Sequence, residues 1–252
     1  MNSPDKKNYK GSSFLLKGLN GIGILLIHGW TSPPTELLPL AKYLNSLGYT
    51  VHAPLLRGHG TEPEDLKGVT WQDWLEDSQN ALQELKKQTS RIFVGGISMG
   101  GNLAILLAED ESVAGIISFG APIRFHLHRL AKSGLFFIGM AKTYRKKYFP
   151  PWVKKKRGIR PAYPYYPIAS AKEIMRLAKA TEKFLSKVSK PILIMQAKRD
   201  YLVSRQSPRI IHNDVKSEIK EIYWVEDAYH VFVDDKKVHE KIREFISQII
   251  SL

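Results

Sequence analysis

Three side chains have the types and the chain order that nucleophilic catalysis needs: Ser98, Asp200 and His230. Ser98 lies in "GGISMGG" (95–101), straight after "RIFV" and straight before "NLAILLAED". A serine hydroxyl is a poor nucleophile until a positioned base takes its proton. An imidazole base in turn needs a carboxylate to hold its tautomer. Gly-x-Ser-x-Gly, here Gly96, Ser98 and Gly100, arises by chance in about one chain in ten of this length. Its place between a strand-like and a helix-like run is far more specific, because a strand-to-helix corner pushes the serine out of the sheet and leaves no room for bulky neighbours. The bland alternative is a tight glycine turn that packs a helix on the sheet.

The acid and base are expected downstream, each just past a strand end. "PILIMQAKRD" supplies Asp200 and "EIYWVEDAYH" supplies His230. Asp227 competes as the acid, but three residues before His230 on one short loop is awkward geometry. His212 reads as structural, and His239, within "DDKKVHEKIREF", reads as a solvated surface residue. A tetrahedral intermediate also needs preorganised N–H donors. One is expected from Met99, at the start of a helix whose dipole favours an anion. The second is expected from Trp30, which begins the loop after "ILLIHG". His28 and the "RGHG" run (57–60) read as loop-shaping residues.

Strand-like runs recur at 23–29, 49–54, 91–96, 113–120, 191–197 and 220–226. Most are continuous apolar runs, the pattern of strands covered on both faces. Helical patterns fall between them at 35–48, 71–87, 100–109 and 235–250. This alternation predicts an α/β fold with a mostly parallel central sheet flanked by helices. Residues 123–190 separate two strands by far more than a crossover helix needs. They are read as a cap of short helices and irregular chain, inserted into a core formed by residues 1–122 and 191–252.

Charge singles out the same insertion. The net charge is +14, yet between Glu111 and Glu173 there is no acidic residue and nearly all of that excess resides there. The apolar stretch "GLFFIGMA" (134–141) sits among these basic clusters. Three readings stay open for the segment: a pocket roof with a solvated basic face, a contact with anionic lipid, or nucleic-acid binding, the last not favoured. The chain has no cysteine, which excludes disulfides, thiolate metal sites and Cys nucleophiles. No apolar run approaches the roughly 18 residues of a transmembrane helix, so a cytoplasmic protein is expected. "HLH" (126–128) is a weak metal pattern, no His-Glu-x-x-His occurs, and neither a metal nor a cofactor is expected.

Taken together, "LLIHGW", "RGHG", "GGISMGG", "QAKRD" and "DAYH" resemble the α/β-hydrolases, in particular the bacterial carboxylesterase and monoacylglycerol lipase branch with a small lid. The resemblance runs from about residue 20 to the C-terminus. It implies Ser98 as nucleophile, His230 as base, Asp200 as orienting acid and Trp30 and Met99 as oxyanion donors. Trp30 stands where the family often has Phe, a change expected to narrow the acyl pocket. Phe136, Phe137 and Met140 are expected to line that pocket. The implied reaction is hydrolysis of short-to-medium acyl esters or monoacylglycerols through an acyl-enzyme. Thioester hydrolysis, acyl transfer and non-catalytic binding through the basic lid stand as alternatives.

Overall fold

The computed structural model describes residues 9–126, 143–147 and 161–251. Within them the chain runs β1 (Phe14–Leu16), β2 (Ile22–Ile27), α1 (Leu38–Ser46), β3 (Thr50–Ala53), α2 (Trp71–Lys86), β4 (Arg91–Ile97), α3 (Met99–Leu106) and β5 (Val113–Phe119). It continues with β6 (Tyr144–Lys146), β7 (Tyr165–Pro167), α4 (Ile168–Phe184), β8 (Ile192–Ala197), α5 (Gln206–Asp214), β9 (Lys220–Val225) and α6 (Lys236–Ile250). Seven strands form one sheet in the order β1-β3-β2-β4-β5-β8-β9. All neighbours pair in parallel except β1, which is antiparallel to β3. β1 is too short to show a period, and the sequence reading does not include it.

Successive side chains of a strand point to opposite faces, and here both faces are covered. Leu25, Val94, Ile116 and Ile194 pack under Trp74 and Leu82 of α2, Leu103 of α3, Leu177 of α4 and Ile211 of α5. Ile24, Phe93, Ile117 and Leu193 pack under Leu40 and Leu44 of α1 and Val238, Ile242 and Phe245 of α6. This two-sided burial is why the strands read as unbroken apolar runs. The helices stop and start on local chemistry. Thr70 and Asp73 cap α2 reciprocally, and Asp235 caps α6 through the Lys237 N–H at 2.8 Å. Gly48, at φ 92°, turns the chain out of α1.

Strand order places the functional edge. The chain passes from β2 outward to β3, returns across β2 to β4, and then proceeds the other way through β5, β8 and β9. The reversal lies between β2 and β4, and ligands of open parallel sheets bind beyond the carboxyl ends of the strands at such a point. Trp30 follows β2 and Ser98 follows β4.

Among the described residues of 123–190 there is one long helix, which the expectation of short helices did not include. Ile168–Phe184 is a single 17-residue helix, α4. Its buried Ile174 and Leu177 join the same core cluster as α2 and α3. Arg124 forms a fork with the Glu182 carboxylate, one arm at 2.7 Å, and so ties the start of the insertion to α4. β6 and β7 form a separate antiparallel pair with Tyr144 opposite Pro167. Phe136, Phe137 and Met140 lie outside the described residues. Among the described residues, no helix is long and apolar enough to cross a membrane.

The fully buried Leu177 predicts that Leu177→Ala lowers the unfolding free energy by about 2–5 kcal/mol. Leu19→Ala, at a fully exposed position, is expected to stay within about 0.5 kcal/mol. Urea denaturation of the two variants beside the parent chain checks both values.

Candidate active site

β4 ends at Ile97 and α3 begins at Met99, so Ser98 alone makes the corner. Its backbone is at φ 53°, ψ −113°, a conformation that costs a non-glycine residue roughly 1–3 kcal/mol. The glycines around it answer to contact. A Cβ on Gly96 would lie 2.2 Å from the carbonyl of Gly100, and a Cβ on Gly100 would lie 2.1 Å from the Ile27 oxygen. Strand end, helix start and the end of β2 therefore touch backbone to backbone. Within 92–100 every residue is buried except Ser98, which is half-buried.

Asp200 and His230 are brought together: His230 Nδ1 lies 2.8 Å from Asp200 Oδ2. The same oxygen accepts from Gln196 Nε2 at 2.8 Å, and Oδ1 accepts from the N–H groups of Leu202 (2.8 Å) and Val203 (3.0 Å). Burial pushes the Asp200 carboxyl up, but the attraction of His230 and these donors outweigh it and hold the group below the usual carboxylate range. An ionised carboxylate only accepts. The imidazole proton toward it therefore sits on Nδ1, which leaves the Nε2 lone pair as the basic site.

Ser98 and the imidazole flank one corner. The Ser98 N–H donates to Phe119 O at 2.8 Å. The next residue, Gly120, lies close enough under the ring that a Cβ there would be 3.6 Å from His230 Nδ1 and Cε1 and from Asp200 Oδ2. Asp227 is exposed and pairs with Arg199 at 3.3 Å, while the His230 ring is bonded to Asp200.

The two candidate N–H donors belong to Met99, next to Ser98 in the chain, and to Trp30, just past the end of β2 that Gly100 touches. Met99 opens α3, so its N–H has no partner within the helix. Trp30 leaves β2 on a loop bonded on both sides. The Gly29 N–H donates to Glu36 Oε1, and Gly29 O accepts from Ser32 N at 3.2 Å and from His28 Nδ1 at 3.0 Å. Gly29 C=O and Trp30 N–H share one planar trans peptide, so fixing the carbonyl aims the N–H the opposite way. His28 Nε2 accepts from the Leu56 N–H at 3.2 Å and thereby joins this loop to the one after β3.

The "RGHG" run is held in the same manner. Arg57 reaches Asp73 and Asp77 at 2.9 and 2.7 Å and also pairs with Glu76. His59 is buried against His28, Trp74 and Tyr163. Three further features escape the sequence reading. Gln196, a polar residue inside an apolar strand, and Glu36, a buried acid beside the Trp30 loop, both carry a signal in hindsight. His239 is buried, not solvated: it stacks on Tyr43 at 4.8 Å, and its Nε2 lies 2.7 Å from Val233 O. Charged neighbours hid its place beside the apolar face of α6. Among the described residues, no group of three His, Asp or Glu side chains is placed to hold a metal ion.

Residues 22–237 match the family described as Serine aminopeptidase, S33. A monoacylglycerol lipase described as thermostable, from Bacillus sp. (strain H-257), is 32% identical over 90% of this chain and 91% of its own. A carboxylesterase from Bacillus subtilis (strain 168) is 27% identical over 90% of this chain and 92% of its own. The solved structure of a metagenome-derived lipolytic enzyme superposes with a TM-score of 0.84 at 29% identity, covering 96% of this chain and 98% of that one.

The buried histidines set an acid limit on stability. Burial pushes His28 down to about 4 from 6.5, and His59 well below 6.5. An unfolded imidazole takes a proton near pH 6.5, whereas the folded ones resist. Stability is therefore complete above that pH and falls as pH drops toward 4, by on the order of 3 kcal/mol for His28 alone. Asp200, with a lowered pKa, contributes stability that is lost only below its unfolded value of 3.8, so the two windows separate. Urea unfolding at stepped pH should show the decline beginning near 6.5, with a shallower slope in His59→Phe.

Proposed function

Since the chain belongs to the serine aminopeptidase family of α/β-hydrolases, which it matches over residues 22–237, we propose that it hydrolyses carboxylic esters through an acyl-enzyme on Ser98. The observation that carries the reading is the 2.8 Å bond between Asp200 and His230 beside the corner that displays Ser98. His230 Nε2 takes the Oγ proton as Ser98 attacks the ester carbonyl. The N–H groups of Trp30 and Met99 hold the oxygen that becomes negative. His230 then gives the proton to the leaving alcohol, and a water deprotonated by the same ring releases the acid. Asp200 keeps the ring in the required tautomer.

The relatives named for carboxylesters and monoacylglycerols support short-to-medium acyl chains on a small alcohol or glycerol. Residues 123–190 roof the acyl cleft in this reading, with Phe136, Phe137 and Met140 toward the acyl chain. Contacts from two parts of the insertion support that place. Phe125 bridges Val203 and the His126 N–H donates to Leu202 O beside Asp200. The Tyr163 N–H donates to Thr31 O beside Trp30. The concentration of positive charge in the insertion suits peripheral contact with an anionic lipid surface, and a chain without cysteine suits the cytoplasm.

Ser98→Ala is expected to abolish turnover of p-nitrophenyl butyrate and labelling by a fluorophosphonate while leaving the melting temperature in place. Turnover above a contaminant level in that variant overturns the assignment. A panel varying acyl and alcohol parts separately ranks the substrates. Sedimentation with anionic vesicles should retain the protein at low salt and release it as salt rises; equal retention on neutral vesicles removes the lipid contact.

A further inference from the structure

Thr31 is unusual in carrying a β-branched side chain at φ 70°, in the left-handed region where such residues are outliers. It follows Trp30, whose N–H is the oxyanion donor of the proposed reaction. Thr31 is almost fully buried, and contacts from the inserted segment surround it. The Tyr163 N–H donates to its carbonyl at 2.9 Å. Its own hydroxyl donates to Trp30 O and accepts from Lys147 Nζ. The indole of Trp30 packs on Tyr166 at 4.5 Å between ring centres.

These contacts form one chain, from the Lys147 ammonium to the Thr31 hydroxyl to the Trp30 carbonyl. A cation donating to a hydroxyl polarises it, so the bond it makes onward is strengthened. The Trp30 carbonyl belongs to the peptide on the C-terminal side of Trp30. Gly29 O, anchored by Ser32 and His28, fixes the peptide on the N-terminal side. The N–H belongs to the N-terminal plane, and holding the C-terminal one keeps Trp30 and the loop from swinging about the Trp30 backbone bonds and carrying the N-terminal plane with them. The core holds one plane, and Lys147, at the end of the paired strands β6 and β7, holds the other.

We propose that Lys147 is a positioning residue: acting through Thr31, it holds the oxyanion loop in its catalytic conformation, so that a contact made by the inserted segment completes the site. The inference rests on the ester-hydrolase reading with Trp30 as donor. It assigns to one lysine of the basic segment a role different from surface charge. Without Lys147 the strain at Thr31 loses an opposing bond, the loop relaxes, and the N–H leaves the position the oxyanion will occupy.

Two readouts separate positioning from substrate binding. The first is kcat against KM for p-nitrophenyl butyrate. The second is the affinity of an alkyl trifluoromethyl ketone. Ser98 adds to that carbonyl: an O–C bond forms, the hydroxyl proton passes to His230, and the carbonyl oxygen becomes the anion held by the N–H donors. Lys147→Met should lower kcat about 10- to 100-fold and weaken the ketone by the same factor, with KM within about twofold. Lys147→Arg should restore most of both. In a Thr31→Gly background, where the backbone strain and the hydroxyl are gone, Lys147→Met should have no further effect. If Lys147→Met does not fold, Lys147→Gln and the Thr31→Gly pair carry the same comparison. A rise in KM with kcat unchanged, no change in either, or equal effects with and without Thr31 overturns the proposal. Absence of turnover and ketone binding in the parent chain overturns instead the ester-hydrolase reading beneath it.

Discussion

At the centre of the molecule three backbone segments meet with no side chain between them. Gly96 rests on Gly100, and Gly100 rests on the carbonyl oxygen of Ile27. This contact lets α3 begin one residue after β4 ends, and it presses the helix start against the end of β2. The corner residue has no relaxed conformation available, and Ser98 takes φ 53°. Bonds on both sides hold it there: its N–H goes to Phe119 O, and its carbonyl accepts from Gly101 and Asn102 at 3.0 and 3.2 Å. The end of β2, which leads to Trp30, and the start of α3 at Met99 are neighbours because the strand and the helix are in backbone contact.

Around that corner, burial acts on charge in two opposite ways. Asp200 lies in a region that disfavours a carboxylate, yet three donors other than the histidine converge on its two oxygens. His28 and His59 receive no such compensation and stay neutral. One buried acid is thereby kept ionised and two buried imidazoles uncharged, a few residues from the same sheet edge. The difference lies in the partners: backbone N–H groups and an amide aimed at the acid, carbonyl oxygens and aromatic rings around the histidines.

How far the sequence discloses this depends on whether the signal is local. β2, β4, β5 and β8 are readable because two-sided burial writes continuous apolar runs, and β9, at the edge, by its β-branched and aromatic run after Lys220 and Glu221. Ser98, Asp200 and His230 stand out as candidates because each sits just beyond a strand-like run. α4 is harder to read, since its apolar stripe is interleaved with lysines in a stretch whose charge dominates its appearance. Gln196 and Glu36 are visible only as polar residues in apolar surroundings, without an indication of what they bind. The contact between Lys147 and Thr31 spans 116 residues. Nothing in either neighbourhood announces it.

The strand order also has a temporal consequence. β9 is the last strand of the sheet, lies at its edge and pairs only with β8; the imidazole follows it. The hydroxyl, the carboxylate and the imidazole are contributed by residues 98, 200 and 230, so nearly every contact that builds the centre is remote along the chain. Such topologies fold slowly, because loop closure must precede its reward. A nascent chain emerging from the ribosome carries Ser98 long before His230 exists, and the pairing of Asp200 with His230 waits until the final strand docks.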